Sequence, residues 1–211
     1  AFYDQVLDMI TTLGLVPKRY NWDGGAIDLD TYFAMARGRQ QGDVDVVAME
    51  MSKWFDTNYH YIVPEFEEGM EPKLTSTKVF DQYQEAKDQG IETRPVLVGP
   101  LTFVQIGKAQ FENFDPAALT AKLIPVYKEI LDKLAAQGAQ WVQIDEPAFA
   151  TDVCDGFRNG AKEVYAELAK ADVNILVTSY FDTLRDNADA FYALPVDALH
   201  IDLCRGPHVA N

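Results

Sequence analysis

The chain has 211 residues, with 18 Lys+Arg against 33 Asp+Glu, a formal charge of −15 and 48% apolar residues, an ordinary globular composition. So acidic a surface is repelled by phosphate backbones and anionic lipid, which argues against nucleic-acid and membrane partners. No apolar run approaches the roughly 20 residues that span a bilayer. Cys154 and Cys204, the only cysteines, are too few for a disulfide framework or a CxxC zinc site, so a reducing, cytoplasmic setting is expected.

The chain opens directly inside an amphipathic pattern, without an initiator Met or a signal peptide, as though cut from something longer. Phe2, Tyr3, Val6, Leu7, Met9, Ile10 and Leu13 fall at helical spacing and stop at Gly14; no Ser, Thr, Asp or Asn precedes them as a cap. Residues 15–47 are the least regular, with a turn at 21–25 and a short helix at 30–37. Residues 48–55 read as a further short helix, and 59–66 as a strand closed by Pro64. An alternation then sets in. Residues 77–89 predict a helix stopped by Gly90, and 94–98 a strand ending at Gly99-Pro100. Asp115 caps a helix with Pro116 at its first position and Pro125 inside it, where a kink is expected; Gly138 ends it. Strands follow at 141–144, 174–178 and 198–203, separated by helices at 157–170 and 184–191.

Short apolar strands alternating with amphipathic helices predict an α/β fold with a parallel sheet and right-handed crossovers. Five strands are visible, one about every 35 residues, close to the roughly 31 residues per unit of a (β/α)8 barrel. Either a doubly wound sheet or an incomplete barrel satisfies that spacing.

In a barrel, functional groups gather at the C-terminal ends of strands. Here those ends carry Glu65, Gly99-Pro100, Asp145-Glu146, Thr178-Ser179-Tyr180 and Asp202. Each carboxylate could act as acid, base or clamp, or simply cap the next segment. Glu65 and Glu146, with Tyr59, Tyr61, Trp141 and Phe149 nearby in sequence, could form the paired carboxylates of a glycosidase. His200 and Cys204 would share a face of one strand. With only His60 elsewhere and His208 near the end, they fall short of the three or four ligands a metal needs. Gly24-Gly25 lacks the context of a phosphate loop. Arg37 and Arg39 read as cations at a helix C-terminus. Lys53, beside Trp54, and Lys73 could each hold an anionic substrate group or be solvated surface lysines.

Four stretches go further: MEMSKWFDTNYHYIVPEF at 49–66, RPVLVGPLT at 94–102, WVQIDEPA at 141–148 and LHID at 199–202. In order and spacing they resemble cobalamin-independent methionine synthases, and the resemblance covers essentially the whole chain. That family moves a methyl group from 5-methyltetrahydropteroyl-polyglutamate to homocysteine, using two (β/α)8 barrels packed face to face. The resemblance implies that residues 1–211 are part of the N-terminal barrel, with its first strands before Ala1 and its last after Asn211. It further implies a zinc ion whose ligands, with the catalytic histidine, belong to a C-terminal barrel absent from this chain, and no cobalamin. Zinc would lower the homocysteine thiol pKa for attack as thiolate, so this segment alone is expected to be inactive. Lys53 matches the family lysine placed on the folate, and Asn58 resembles a second folate-facing position; a lysine beside a multiply anionic tail is sound chemistry. No catalytic or metal-binding residue is assigned to this chain. Its expected partners are the folate and the C-terminal barrel of the same polypeptide. A non-catalytic binding module and a carboxylate-based barrel hydrolase are the alternatives.

Overall fold

The computed structural model describes residues 3–41 and 44–205. In chain order the first elements are α1 (Gln5–Thr12), α2 (Leu29–Arg37), β1 (Arg39–Gln41), β2 (Val44–Val46), β3 (Met51–Lys53), β4 (His60–Ile62) and β5 (Glu65–Phe66). There follow α3 (Lys78–Asp88), β6 (Val96–Val98), α4 (Pro100–Gln105), β7 (Lys108–Ala109) and α5 (Pro116–Ala136). The last are β8 (Trp141–Asp145), α6 (Asp155–Leu168), β9 (Asn174–Thr178), α7 (Ala188–Tyr192) and β10 (Ala198–His200). The chain divides into two compact units, Ala1–Lys78 with Ile106–Phe114, and Val79–Gln105 with Asp115–Asn211.

In the first unit, α1 is capped after all. Asp4 Oδ1 accepts from Val6 N at 2.7 Å and Leu7 N at 3.1 Å, so the helix starts at Gln5. The expectation of an uncapped helix beginning at Phe2 therefore fails from Tyr3 onward, and Phe2 itself lies outside the described residues. Burial of Val6, Leu7 and Ile10 anchors the helix in the core of this unit. The helix predicted at 48–55 is instead strand β3, antiparallel to β4 with Met51 opposite Ile62, Ser52 opposite Tyr61 and Lys53 opposite His60. The single strand predicted at 59–66 is divided by Val63-Pro64 into β4 and β5, and β5 pairs in parallel with β7. Pro64 has no amide hydrogen to continue a ladder, which is the physical reason for the division.

The second unit holds a four-stranded parallel sheet in the order β6-β8-β9-β10, with helices between successive strands. The predicted count of five parallel strands thus becomes four, because 59–66 pairs elsewhere. Asp115 Oδ1 accepts from Ala117 N at 2.9 Å and Ala118 N at 3.2 Å, and α5 runs on through Pro125 to Ala136. Gly138 follows in a left-handed conformation, φ 93°, that favours glycine. The helix predicted at 184–191 is a 3-10 turn, Arg185–Asn187, leading into α7.

The two faces of this sheet differ. Val142, Ile144, Ile175 and Val177 are wholly buried, as are Leu123, Tyr127 and Ile130 of α5 and Ala161, Tyr165 and Leu168 of α6. Tyr127 donates its hydroxyl to the Val98 carbonyl at 2.6 Å, tying α5 to β6. The opposite face presents Val96 and Trp141, 54% and 37% exposed, with Gln143 and Leu176 half-buried between them.

Candidate functional site

Lys53 closes β3 and Asn58 stands in the turn that leads into β4, so one hairpin carries both candidate folate residues. The hairpin is closed beyond its ladder by Trp54 N donating to Tyr59 O at 2.7 Å. Thr57 Oγ1 donates to Trp54 O at 2.6 Å and accepts from Tyr59 N at 3.1 Å, so a side chain builds the turn. Trp54, 5% exposed, packs edge-to-face on Tyr61, their centroids 5.5 Å apart, and anchors the inner side of the hairpin. Phe55, next to it, holds φ 47°, a left-handed conformation that costs a non-glycine residue about 1–2 kcal/mol. Lys53, Asn58 and His60 are exposed.

Other cations of this unit are already engaged. Arg19 makes a two-pronged bond to Glu65 at 2.5 and 2.7 Å, Lys78 pairs with Asp8 at 2.7 Å, and Lys108 with Glu50 at 2.6 Å. Lys73 lies over the Trp22 ring at 5.2 Å and Arg37 over Phe33 at 4.8 Å. Lys53, by contrast, forms no ion pair among the described residues. Its ammonium is therefore available to an external anion without first breaking an internal pair.

The carboxylates proposed as a glycosidase pair are both committed. Glu65 is held by Arg19. Glu146 is 0% exposed. Its Oε1 accepts from Leu101 N at 3.1 Å and from the Tyr165 hydroxyl at 2.7 Å, and its Oε2 from Thr102 N at 2.6 Å. It therefore serves the first turn of α4 and cannot reach a glycoside. Burial pushes its pKa from 4.5 up to about 7, against the pull of its hydrogen bonds. Asp145 points to the other side of the sheet, accepting from Gln143 Nε2 at 2.7 Å and from the Tyr180 hydroxyl at 3.1 Å. Burial raises its pKa too. Asp202 caps the turn after β10 through Cys204 N at 2.7 Å.

The proposed His200–Cys204 strand ends at His200, and Cys204 follows in a bend, so the two do not share a strand face. His208 lies outside the described residues. Among the described residues no group of three or more His, Cys, Asp or Glu could hold a metal ion. An open cavity of about 340 Å³ has Arg94, Gln140 and Trp141 in its wall. It lies at the N-terminal ends of the strands, away from Asp145 and Thr178, and belongs to the exposed sheet face.

Sequence reasoning missed the Asp4 cap, the Arg19–Glu65 pair and the β3–β4 hairpin. A signal for the hairpin was present: Asp56-Thr57-Asn58, three turn-forming residues between two aromatic-rich stretches.

Residues 1–211 match the family described as "Cobalamin-independent synthase, N-terminal domain". A 5-methyltetrahydropteroyltriglutamate–homocysteine methyltransferase of Salinibacter ruber is 50% identical over 212 residues, covering 98% of this chain and 28% of its own length. The methyltransferase of the same name from Nitrobacter winogradskyi is 47% identical over 224 residues, covering 98% and 29%. The chain thus spans under a third of the length of these relatives. In fold it is similar to a Listeria monocytogenes protein described as a vitamin-B12-independent methionine synthase, with a TM-score of 0.51 and 15% identity over 63% of this chain and 46% of that one. With the match running from the first residue to the last, the chain belongs to the family of N-terminal domains of cobalamin-independent synthases.

Proposed function

We propose that this chain is the folate-side part of an N-terminal (β/α)8 barrel in a methyltransferase that moves a methyl group from 5-methyltetrahydropteroyl-polyglutamate to homocysteine, making methionine without cobalamin. The observation that carries this reading is near-half identity, over 98% of the chain, to relatives that bear that activity in their names. Closure into a barrel is supported by the uneven sheet. Parallel sheets are covered on both faces, yet Val96 and Trp141 stand 54% and 37% exposed on the face without helices, as residues of an unfinished barrel interior would.

Among the described residues no group fits a zinc site; in keeping with the family resemblance the metal is assigned to a C-terminal barrel, and no chemical step is assigned to this segment. The work of this segment is binding. Lys53, which forms no ion pair among the described residues, offers its ammonium to the glutamate tail, and Asn58 presents an amide from the same turn. Segregation of the metal from this segment makes the isolated chain inactive in methyl transfer. Both cysteines are free and exposed, which supports a reducing, cytoplasmic setting. Among the described residues no helix is long and apolar enough to cross a membrane.

The test is Lys53→Ala in the full-length methyltransferase. The expected result is a rise of about tenfold in KM for the triglutamyl folate, equivalent to roughly 1.4 kcal/mol, with KM for homocysteine unchanged. An unchanged folate KM removes Lys53 from the site.

A further inference from the structure

Lys53 and His60 are direct partners in the antiparallel ladder of β3 and β4. Side chains at directly opposed positions share one face of the ribbon, with Cβ atoms roughly 4.5–5.5 Å apart. Both residues are exposed. The His60 ring is also oriented: Nδ1 lies 3.1 Å from the Asn58 carbonyl oxygen. A carbonyl can only accept, so Nδ1 carries the proton and Nε2 is the nitrogen that gains or loses one. The Asn58 backbone thereby fixes the ring of the residue that stands opposite Lys53 in the ladder.

We propose that His60 is a second anion-binding residue of this hairpin, closing with Lys53 on one carboxylate of the substrate's glutamate tail. The assignment rests on the reading of Lys53 given above and adds a residue and a pH dependence to it. With Nε2 deprotonated, the ring presents a lone pair to the carboxylate and binds it poorly. Protonation turns Nε2–H into a charged donor beside an ammonium, and a carboxylate with two oxygens can accept from both. Asp56, exposed in the turn itself, is the acidic group of the hairpin; the carboxylates on the neighbouring elements are occupied by other partners. On α1, which packs on β4, Asp4 accepts the amides of Val6, Leu7 and Ile62, and Asp8 binds Lys78 and the Tyr32 hydroxyl. Ahead of β3, Glu50 is bound by Lys108. Tyr59, the neighbour of His60, has its hydroxyl pKa pushed up to about 12, mainly by burial, and stays neutral. The charge of this face is thus set by Lys53 and His60 with Asp56 of the turn, in a chain whose net charge is −15.

The experiment measures dissociation constants for tri- and monoglutamyl 5-methyltetrahydrofolate by calorimetry at pH 6 and pH 8. It uses the full-length enzyme and its His60→Gln, His60→Arg and Lys53→Ala variants. His60→Gln keeps an amide donor for the Asn58 carbonyl but cannot charge. The expected result is that the native enzyme binds the triglutamyl form about three- to tenfold tighter at pH 6 than at pH 8. His60→Gln is expected to lose that difference, and His60→Arg to bind tightly at both pH values. The monoglutamyl form should vary little among these proteins. A His60→Gln variant that keeps both the native pH dependence and the native tri-to-mono ratio overturns the role of His60. Should Lys53→Ala still weaken triglutamyl binding in that case, the reading of Lys53 stands alone. If neither variant weakens it, both assignments fall.

Discussion

The Tyr165 hydroxyl of α6 donates to the Glu146 carboxylate at 2.7 Å, inside a layer where both side chains are wholly buried. Through this bond α6 reaches the end of β8, and Glu146 passes the connection on to the Leu101 and Thr102 amides at the start of α4. A carboxylate in this position supplies acceptors to amides that a short helix leaves without partners. Its cost is desolvation, which is why its pKa rises to about 7 in spite of these donors.

Tyr165→Phe should therefore destabilise the protein in a pH-dependent way. Losing a hydrogen bond to a buried carboxylate costs about 1–3 kcal/mol. The bond is strongest when Glu146 is ionised, so the loss should be larger at pH 8 than at pH 6. The native enzyme should itself lose stability as pH rises from about 4.5 to about 7, because the folded state there holds a proton that the unfolded chain releases. Glu146 contributes on the order of 3 kcal/mol to that decline at one pKa unit per 1.36 kcal/mol. Urea midpoints of the full-length protein at several pH values check both statements. An equal Tyr165→Phe effect at pH 6 and pH 8 would contradict a Glu146 that ionises near 7 while bonded to Tyr165.

Gly99 is the second test of the same cluster. A Cβ built at this residue collides with the Glu146 Cδ and Oε1 atoms. Gly99→Ala should displace the carboxylate from the α4 amides and cost about 1–3 kcal/mol, as overpacking of a close-packed core does. Thermal unfolding of the variant measures it. A melting temperature unchanged from the native protein would mean that this crowding does not exist in solution.

How far the sequence led depended on whether a local pattern had one physical meaning. Asp115-Pro116 ahead of Leu119, Leu123, Val126, Tyr127 and Ile130 admits only a capped amphipathic helix, and α5 is where it was expected. The runs at 141–145 and 174–178 are short and apolar, and both are strands of the parallel sheet. The segment 48–55 was ambiguous. A short helix suits this stretch as well as a strand does, and only pairing with His60–Ile62 makes Met51–Lys53 a strand. Glu146 was legible in principle. It has the parity of Val142 and Ile144, the fully buried positions of β8, whereas Asp145 has the parity of the exposed Trp141. Alternation along the strand thus separates a buried structural carboxylate from one turned to the opposite face. The proposed folate residues Lys53 and Asn58 carried no such internal signal, since an exposed lysine and a turn asparagine look alike with or without a ligand.

Asp4 links the core of the first unit to the hairpin that bears Lys53. One oxygen caps α1 through Val6 N and Leu7 N, and the other accepts from Ile62 N at 3.2 Å, at the end of β4. Asp4→Ala removes a cap worth about 0.5–2 kcal/mol and leaves the Ile62 amide without its acceptor, a further cost of about 1–3 kcal/mol. Burial raises the Asp4 pKa from 3.8 to about 6. The folded state therefore binds the extra proton between those values, and stability falls as pH climbs through that window. Asp4→Asn keeps an oxygen for the cap and cannot titrate, so it should flatten the Asp4 share of that slope while losing less stability than alanine. Hydrogen exchange of the amides in α1 and β4 in the full-length enzyme reads the effect locally. Asp4→Ala should speed exchange at both Val6 and Ile62 and, by loosening the hairpin, weaken triglutamyl folate binding while leaving homocysteine untouched. Faster exchange at Val6 with Ile62 unchanged would show that Asp4 caps the helix but does not hold the hairpin.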